Sequence, residues 1–391
     1  PGVNLVYGNK DGDIAYYSTG RLPIRAAGVV GDFPVTYGPT TAWQGILDPS
    51  SNPSTINPEE SMLFTANEKV VPFTSSYKYN IQPSNRDFHD GMRSQILRSA
   101  ALERLSWSSR QDLSATDMKQ LQLDLISGTY YYFSPMLARI ASDPSSTSLQ
   151  RLWASRLVNA WNGTCATDSK YPSVYEGWLI EMFNVGSREV YDTEGEEPDR
   201  KWGNRFYLLR LLYNSTGASI ADSQYQSSDS ACIGGGDCLK SAQAALTKAV
   251  ETLLDGNEDE DSIPDYGQMH QGSWQHILFQ YIPVLQEIYG RRAPLGGDGF
   301  SVNCAGVEIA GKSMWDATYG ASIRMIVDTD DFDASQFILP LGEVASPWSP
   351  YFDNFFQPYL QSQYVEIRRS DYSSASQYTI RPPILPEAST T

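Results

Sequence analysis

Two short runs, NLVYGN (4–9) and IAYYST (14–19), mix apolar and polar positions in the manner of half-buried strands and flank KDGD. An Asp-Gly pair between two such runs predicts a β-hairpin. Strand-and-turn patterning continues to about residue 71, through proline- and glycine-rich loops in which TAWQGIL is embedded. From about 87 to 289 the period changes. MRSQILRSAALERL places Met92, Ile96, Leu97, Ala100 and Leu105 near one face, and SATDMKQLQLDLIS opens on Ser114 and Thr116 as cap candidates. SRLVNAW, SVYEGWLIEMF, NRFYLLRLLY and CLKSAQAALTKAVETLL are further predicted helices, separated by SDPSSTS, DTEGEEPDR and DGNEDEDSIPD. Strands return over 294–369 in SVNCAGVEIA, ASIRMIVDT, SQFILPLG and QYVEIRR.

Strands at both ends of a helical middle predict an α+β organisation, one sheet-containing core interrupted by a helical lobe, rather than a βαβ array. The zones are core strands over 1–84, a helical lobe over 85–290, C-terminal core strands over 291–370 and a frayed tail over 371–391.

Composition narrows the function classes. The 391 residues carry a formal charge of −17, which argues against nucleic acid and anionic membrane surfaces as partners. No run of eighteen apolar residues occurs, so no membrane span is expected. The four cysteines are Cys165, Cys232, Cys238 and Cys304. Cys232 and Cys238 bracket IGGGD, a loop able to close as a small disulfide. With the sequons at Asn162 and Asn214 as glycosylation candidates, they lean towards an extracellular or secretory compartment.

Several tempting signals fail on their own terms. DGNEDEDSIPDY alternates Asp255, Asn257, Asp259 and Asp261. An EF-hand loop would need glycine and a carboxylate where Glu260 and Tyr266 stand, so a solvated acidic loop is expected. GGDGF (296–300) and GGGD (234–237) lack the Gly-Lys-Ser/Thr of a phosphate loop, and there is no G-x-S-x-G or H-E-x-x-H. The three histidines (His89, His270, His276) are not spaced with the cysteines as zinc ligands. His276, in SWQHILFQYIP, reads as a histidine on an apolar, aromatic helix. No metal site and no self-contained catalytic triad is legible.

Read in order, VYGNKDGDIAYYSTGRLPIR, TAWQGIL, NPEESMLFTANEKV, HDGMRSQILRSAALE, ATDMKQLQLDLIS, LVNAWNG, SWQHILFQ, PLGGDGFSVNC, GASIRMIVD, SQFILPLG and SPYFDNFFQPYL resemble successive segments of the β subunit of the penicillin acylase (penicillin amidase) family. SWQHILFQ departs from that pattern by one residue fewer between Trp and His. The likeness spans about residues 4–366, the C-terminal two thirds of such a subunit. It implies a four-layered αββα N-terminal-nucleophile hydrolase fold, built by two chains cut from one precursor. It also implies cleavage of a non-peptide amide in a small-molecule substrate through an acyl-enzyme. The nucleophile, a serine whose own α-amine is the base, is then expected upstream of Pro1, on an N-terminal β segment that works with an upstream α chain.

Two positions carry over from the resemblance. Asn67 in FTANEKV matches the oxyanion-hole asparagine, whose amide donates to developing negative charge. The alternative is an Asn capping a strand end or turn. Arg93 in DGMRSQI matches an arginine that orients the nucleophile and that Asn, the alternative being an ion pair. No cofactor is required. The resemblance allows Ca2+, with a backbone carbonyl near Gly31 as one ligand, but the aspartate it would need between Asn67 and Arg93 is not evident. A reading from another class is a non-catalytic acylase-like binding or structural protein.

Overall fold

The computed structural model describes residues 3–26, 29, 36–66, 113–191, 238–276, 278–307 and 315–368. The opening hairpin forms as its pattern predicts. Strand β1 (Asn4–Gly8) pairs antiparallel with β2 (Ile14–Ser18), in register from Asn4↔Ser18 to Gly8↔Ile14. Asn9 closes the turn, its Oδ1 accepting from the amides of Asp11 and Asp13. On its other side β2 pairs with β5 (Ser54–Ile56), giving the order β1-β2-β5. Between them, β3 (Pro23–Ile24) and β4 (Gly45–Ile46) form a ribbon beside the buried pair Leu22 and Leu47. All of β1 is exposed, including Leu5, Val6 and Tyr7.

The helical middle holds the main core. Helix α1 (Ala115–Gln122) starts at a reciprocal capping box: the Ser114 hydroxyl accepts from the Asp117 amide, and the Asp117 carboxylate accepts from the Ser114 amide at 2.8 Å. Of the two cap candidates, Ser114 is the cap. Helices α2 (Gly128–Ser142), α3 (Ser148–Asn159), α4 (Tyr171–Tyr191) and α5 (Cys238–Leu254) follow. The pattern did not predict α2, which contains Pro135 and begins Gly-Thr-Tyr-Tyr-Tyr. Local propensity there is poor, and burial of Phe133, Met136, Leu137 and Ile140 outweighs it.

Helices α4 and α5 pack closely because small residues line their contact. A Cβ at Gly177 would stand 3.4 Å from that of Ala249, and Trp178 Nε1 donates to the Ala242 carbonyl at 3.0 Å. Tyr130, Trp161, Tyr175 and Trp178 make a chain of edge-on and tilted rings, with centroids 5.0 to 5.9 Å apart. Tyr130 fits only because residue 163 is glycine: Gly163 has φ +88°, and a Cβ there would lie 2.7 Å from the Tyr130 ring.

Helix α6 (Tyr266–Met269) leads directly into β6 (Gln271–Trp274). That strand belongs to a four-stranded sheet, ordered β7-β6-β9-β8, with β7 (Arg291–Pro294), β8 (Ala305–Val307) and β9 (Ala317–Gly320). The helix expected across SWQHILFQYIP is therefore not formed. Its first two residues, Ser273 and Trp274, end β6 and pair with Arg292 and Arg291 of β7, while the preceding Gly272 meets Ala317 of β9. Further on, Phe279–Tyr281 make a single 3-10 turn, and Pro283 opens a new helix, α7 (Pro283–Tyr289). A last sheet joins β10 (Arg324–Ile326), β11 (Gln336–Ile338) and β12 (Val365–Glu366) beside α8 (Phe356–Leu360). No helix among the described residues is long and apolar enough to cross a membrane.

Gly163 and Gly256 both take positive φ, but nothing lies within 4 Å of a Cβ built on Gly256. Gly256→Ala should therefore cost only backbone strain, about 1–2 kcal/mol. Gly163→Ala should cost that strain and about 1–3 kcal/mol more from overpacking against Tyr130. Urea unfolding of the two variants checks the difference; equal costs would remove the packing role given to Gly163.

Candidate functional site

Asn67 and Arg93 lie outside the described residues, as do Cys232, Asn214 and the stretch around Gly31. The approach to Asn67 is described, and side chains fasten it. Thr65 Oγ1 accepts from Asn4 Nδ2 at 2.9 Å, and Asn4 Oδ1 accepts from the Tyr16 hydroxyl at 2.6 Å. Met62 and Ala66 are buried. The segment leading to residue 67 is thus tied to both strands of the opening hairpin. Asn162 is exposed and accepts from the Thr164 amide in a local turn. Cys238 is buried at the first position of α5, while Cys165 and Cys304 are thiols outside any disulfide.

The acidic loop after α5 behaves as an ion-paired surface loop. Asp259 accepts from the Asp261 amide, Glu260 pairs with Arg156 of α3, and Asp261 pairs with Lys170 at 2.7 Å. The hydrogen bond from Lys170 holds the Asp261 carboxyl below its ordinary range. These side chains point to different cations rather than towards a common centre.

The most concentrated polar chemistry among the described residues is buried in the lobe, where three stretches of chain run side by side. Cys165 N donates to Leu125 O, Ser127 N to Gly163 O, Gly297 N to Cys165 O, and Gly128 N to Phe300 O. Asp298 of the GGDGF loop turns inwards. Its Oδ1 accepts from the amides of Phe300 and Ser301 at 2.8 and 2.6 Å, and its Oδ2 from the Ser127 hydroxyl at 2.5 Å. The chain of hydroxyls continues from Ser127 to Thr129 at 2.7 Å and on to Tyr175 at 2.9 Å. Burial holds the Tyr175 phenol well above its usual range. The sequence reading left this network unassigned. Its one legible signal was a lone aspartate inside a glycine-rich loop. That loop needs its glycines because a Cβ at Gly297 (φ +87°) would meet Asn303 O at 2.3 Å.

The two described histidines differ. His276, partly buried in the loop after β6, accepts at Nδ1 from the amide of Leu278 at 3.2 Å. His270 is fully buried at the end of α6, stacked on Tyr266 with ring centroids 4.6 Å apart. Neither of its ring nitrogens makes a hydrogen bond. Burial pushes its pKa down to about 4, so the ring is neutral at physiological pH.

Comparison with known proteins places these features in a family. The penicillin amidase family matches residues 1–375, and the chain belongs to that family. It is 24% identical over 390 residues to the acyl-homoserine lactone acylase QuiP of Pseudomonas syringae pv. tomato, covering 93% of this chain and 44% of that protein. It is 23% identical over 371 residues to the penicillin acylase 2 proenzyme of Pseudomonas sp. (strain SE83), with the same coverage. The chain thus spans under half the length of these relatives. Among solved structures, the thermostable penicillin G acylase from Alcaligenes faecalis superposes with a TM-score of 0.60 at 16% identity, over 99% of this chain and 68% of that one. That likeness shows the fold, an N-terminal-nucleophile hydrolase fold of mixed helices and sheets.

The buried His270 makes acid stability testable. The folded pKa lies near 4 and the ordinary value is 6.5. The unfolded chain therefore takes up a proton first as pH falls. The stability held above pH 6.5 declines between 6.5 and 4, by about 3 kcal/mol for a shift of this size. His270→Phe keeps an aromatic ring against Tyr266 and should flatten that part of the profile. Parallel denaturation curves at pH 7, 5.5 and 4 check it; identical slopes for both proteins would contradict it.

Proposed function

We propose that this chain is part of an amide hydrolase that cleaves a linear carbon–nitrogen amide in a small molecule through an acyl-enzyme. The observation that carries the reading is the family match across residues 1–375, together with relatives named as acylases. In this reading Asn67 donates its side-chain amide to the oxyanion, and Arg93 orients the asparagine and the nucleophile. The attacking serine comes from sequence outside these 391 residues, on the N-terminal β segment that pairs with an α chain.

The chemistry of the described residues supports that division of labour. Among the described residues, His276 has Nδ1 occupied by backbone amides, and neither ring nitrogen of His270 makes a hydrogen bond, so no histidine is seen hydrogen-bonded to a hydroxyl or thiol as a base for a nucleophile. The Asn4–Thr65 hydrogen bond ties the approach to residue 67 to the opening hairpin, and an oxyanion donor acts best from a position set before the reaction. The compartment in this proposal is extracellular or secretory. Cys232 and Cys238 are bridged there, Asn162 and Asn214 are the glycosylation candidates, and a calcium ion is not required.

In the complete protein, Asn67→Ala should leave folding nearly intact and lower kcat by about a hundredfold or more, the usual loss of one oxyanion donor. Activity within a few-fold of the parent would withdraw the role. Absence of turnover in the parent itself, on aromatic, aliphatic and homoserine-lactone amides alike, would favour the non-catalytic reading. Peptide mapping without reductant, on protein recovered from its natural secretion route, should find Cys232 linked to Cys238. Two free thiols would count against both the bridge and the compartment.

A further inference from the structure

We propose that Cys165, Glu176 and Asp298 form a binding site for a zinc-class divalent cation inside the helical lobe. One donor atom from each, a sulfur and two carboxylate oxygens, lie within 4.8 Å of one another, and all three residues are buried. They come from separate parts of the chain: the turn after α3, the first turns of α4 and the glycine-rich loop before β8. Each is fixed by contacts that do not depend on an ion. Cys165 is held by its backbone bonds to Leu125 and Gly297, Glu176 by its helix, and Asp298 by the Phe300 and Ser301 amides. Glu176 has partners elsewhere, but its Oε1 is buried and receives no hydrogen bond, which leaves lone pairs on that oxygen.

The donor set selects the cation. Calcium and magnesium take oxygen ligands, whereas a thiolate beside carboxylates suits zinc and its neighbours. A dication also reverses the local electrostatics. Without one, burial raises the Cys165 thiol well above its ordinary range, and the nearby Asp298 and Glu176 raise it further. Binding forms a metal–sulfur bond and releases the thiol proton to solvent. Ser127 then serves as the outer partner, its hydroxyl orienting Asp298 through Oδ2.

The full-length protein, loaded with Zn2+ or Co2+ and dialysed against buffer free of transition metals and containing excess Ca2+, supplies the test. Elemental analysis should find roughly one zinc retained per chain. The cobalt form should show a thiolate-to-metal charge-transfer band, a readout on the parent protein that depends on no variant folding. Cys165→Ala should lose both signals, and Ser127→Ala should weaken zinc binding by about tenfold while keeping the band. No retained zinc, metal retained without the band, or retention undiminished in Cys165→Ala would each overturn the site.

Discussion

The carboxylate of Asp298 is the interaction on which the rest of the structure leans. Its two oxygens collect a hydroxyl from the loop before α2 and two amides from its own turn. That joins the glycine-rich segment between β7 and β8 to the helical lobe. Replacing only one partner would leave a buried acceptor short of a donor, which costs more than the bond itself contributes. The same turn carries Phe300 into the lobe's apolar core, so the polar clamp and the hydrophobic contact reinforce each other.

Around that clamp, packing is uneven. The lobe closes on a single large cluster running from Tyr130 to Tyr266, with Trp153, Trp178, Leu246 and Val250 fully or almost fully buried. The first sheet leaves β1 in solvent on every residue, and the buried apolar residues around it are few: Ala15, Leu22, Leu47, Met62 and Ala66. β1 therefore adds little apolar burial to the described structure.

Much of the fold was legible where one signal dominated. The β1–β2 hairpin follows from Asp-Gly between two alternating runs, and α5 from an uninterrupted helical period. Helix α2 was not legible because Pro135 and a run of tyrosines oppose it locally, while the burial that decides it involves residues far along the chain. The helix expected from SWQHILFQYIP was misread because its apolar spacing does not show where the chain turns: Ser273 and Trp274 belong to β6, whose partners lie further along the chain, and Phe279–Tyr281 make only one 3-10 turn. Of the proposed site, Asn67 and Arg93 rest on the family likeness alone and lie outside the described residues, which include only the tether leading to the first of them. The cluster of Cys165, Glu176 and Asp298 had no signature, because its members meet only when two loops and a helix converge.

The self-contained core of the lobe has a consequence for how the molecule opens. Strands that bury little apolar surface can detach and reclose while the helices stay packed, so local opening energies should be graded along the chain rather than uniform. Amide protons of β1 belong at the fast-exchanging end of that gradient and those of α4 and α5 at the slow end. The clasp from Asn4 to Thr65 sits on the fast side. The order of the segment before residue 67 therefore depends on an exposed sheet of the described structure rather than on the buried core of the helices.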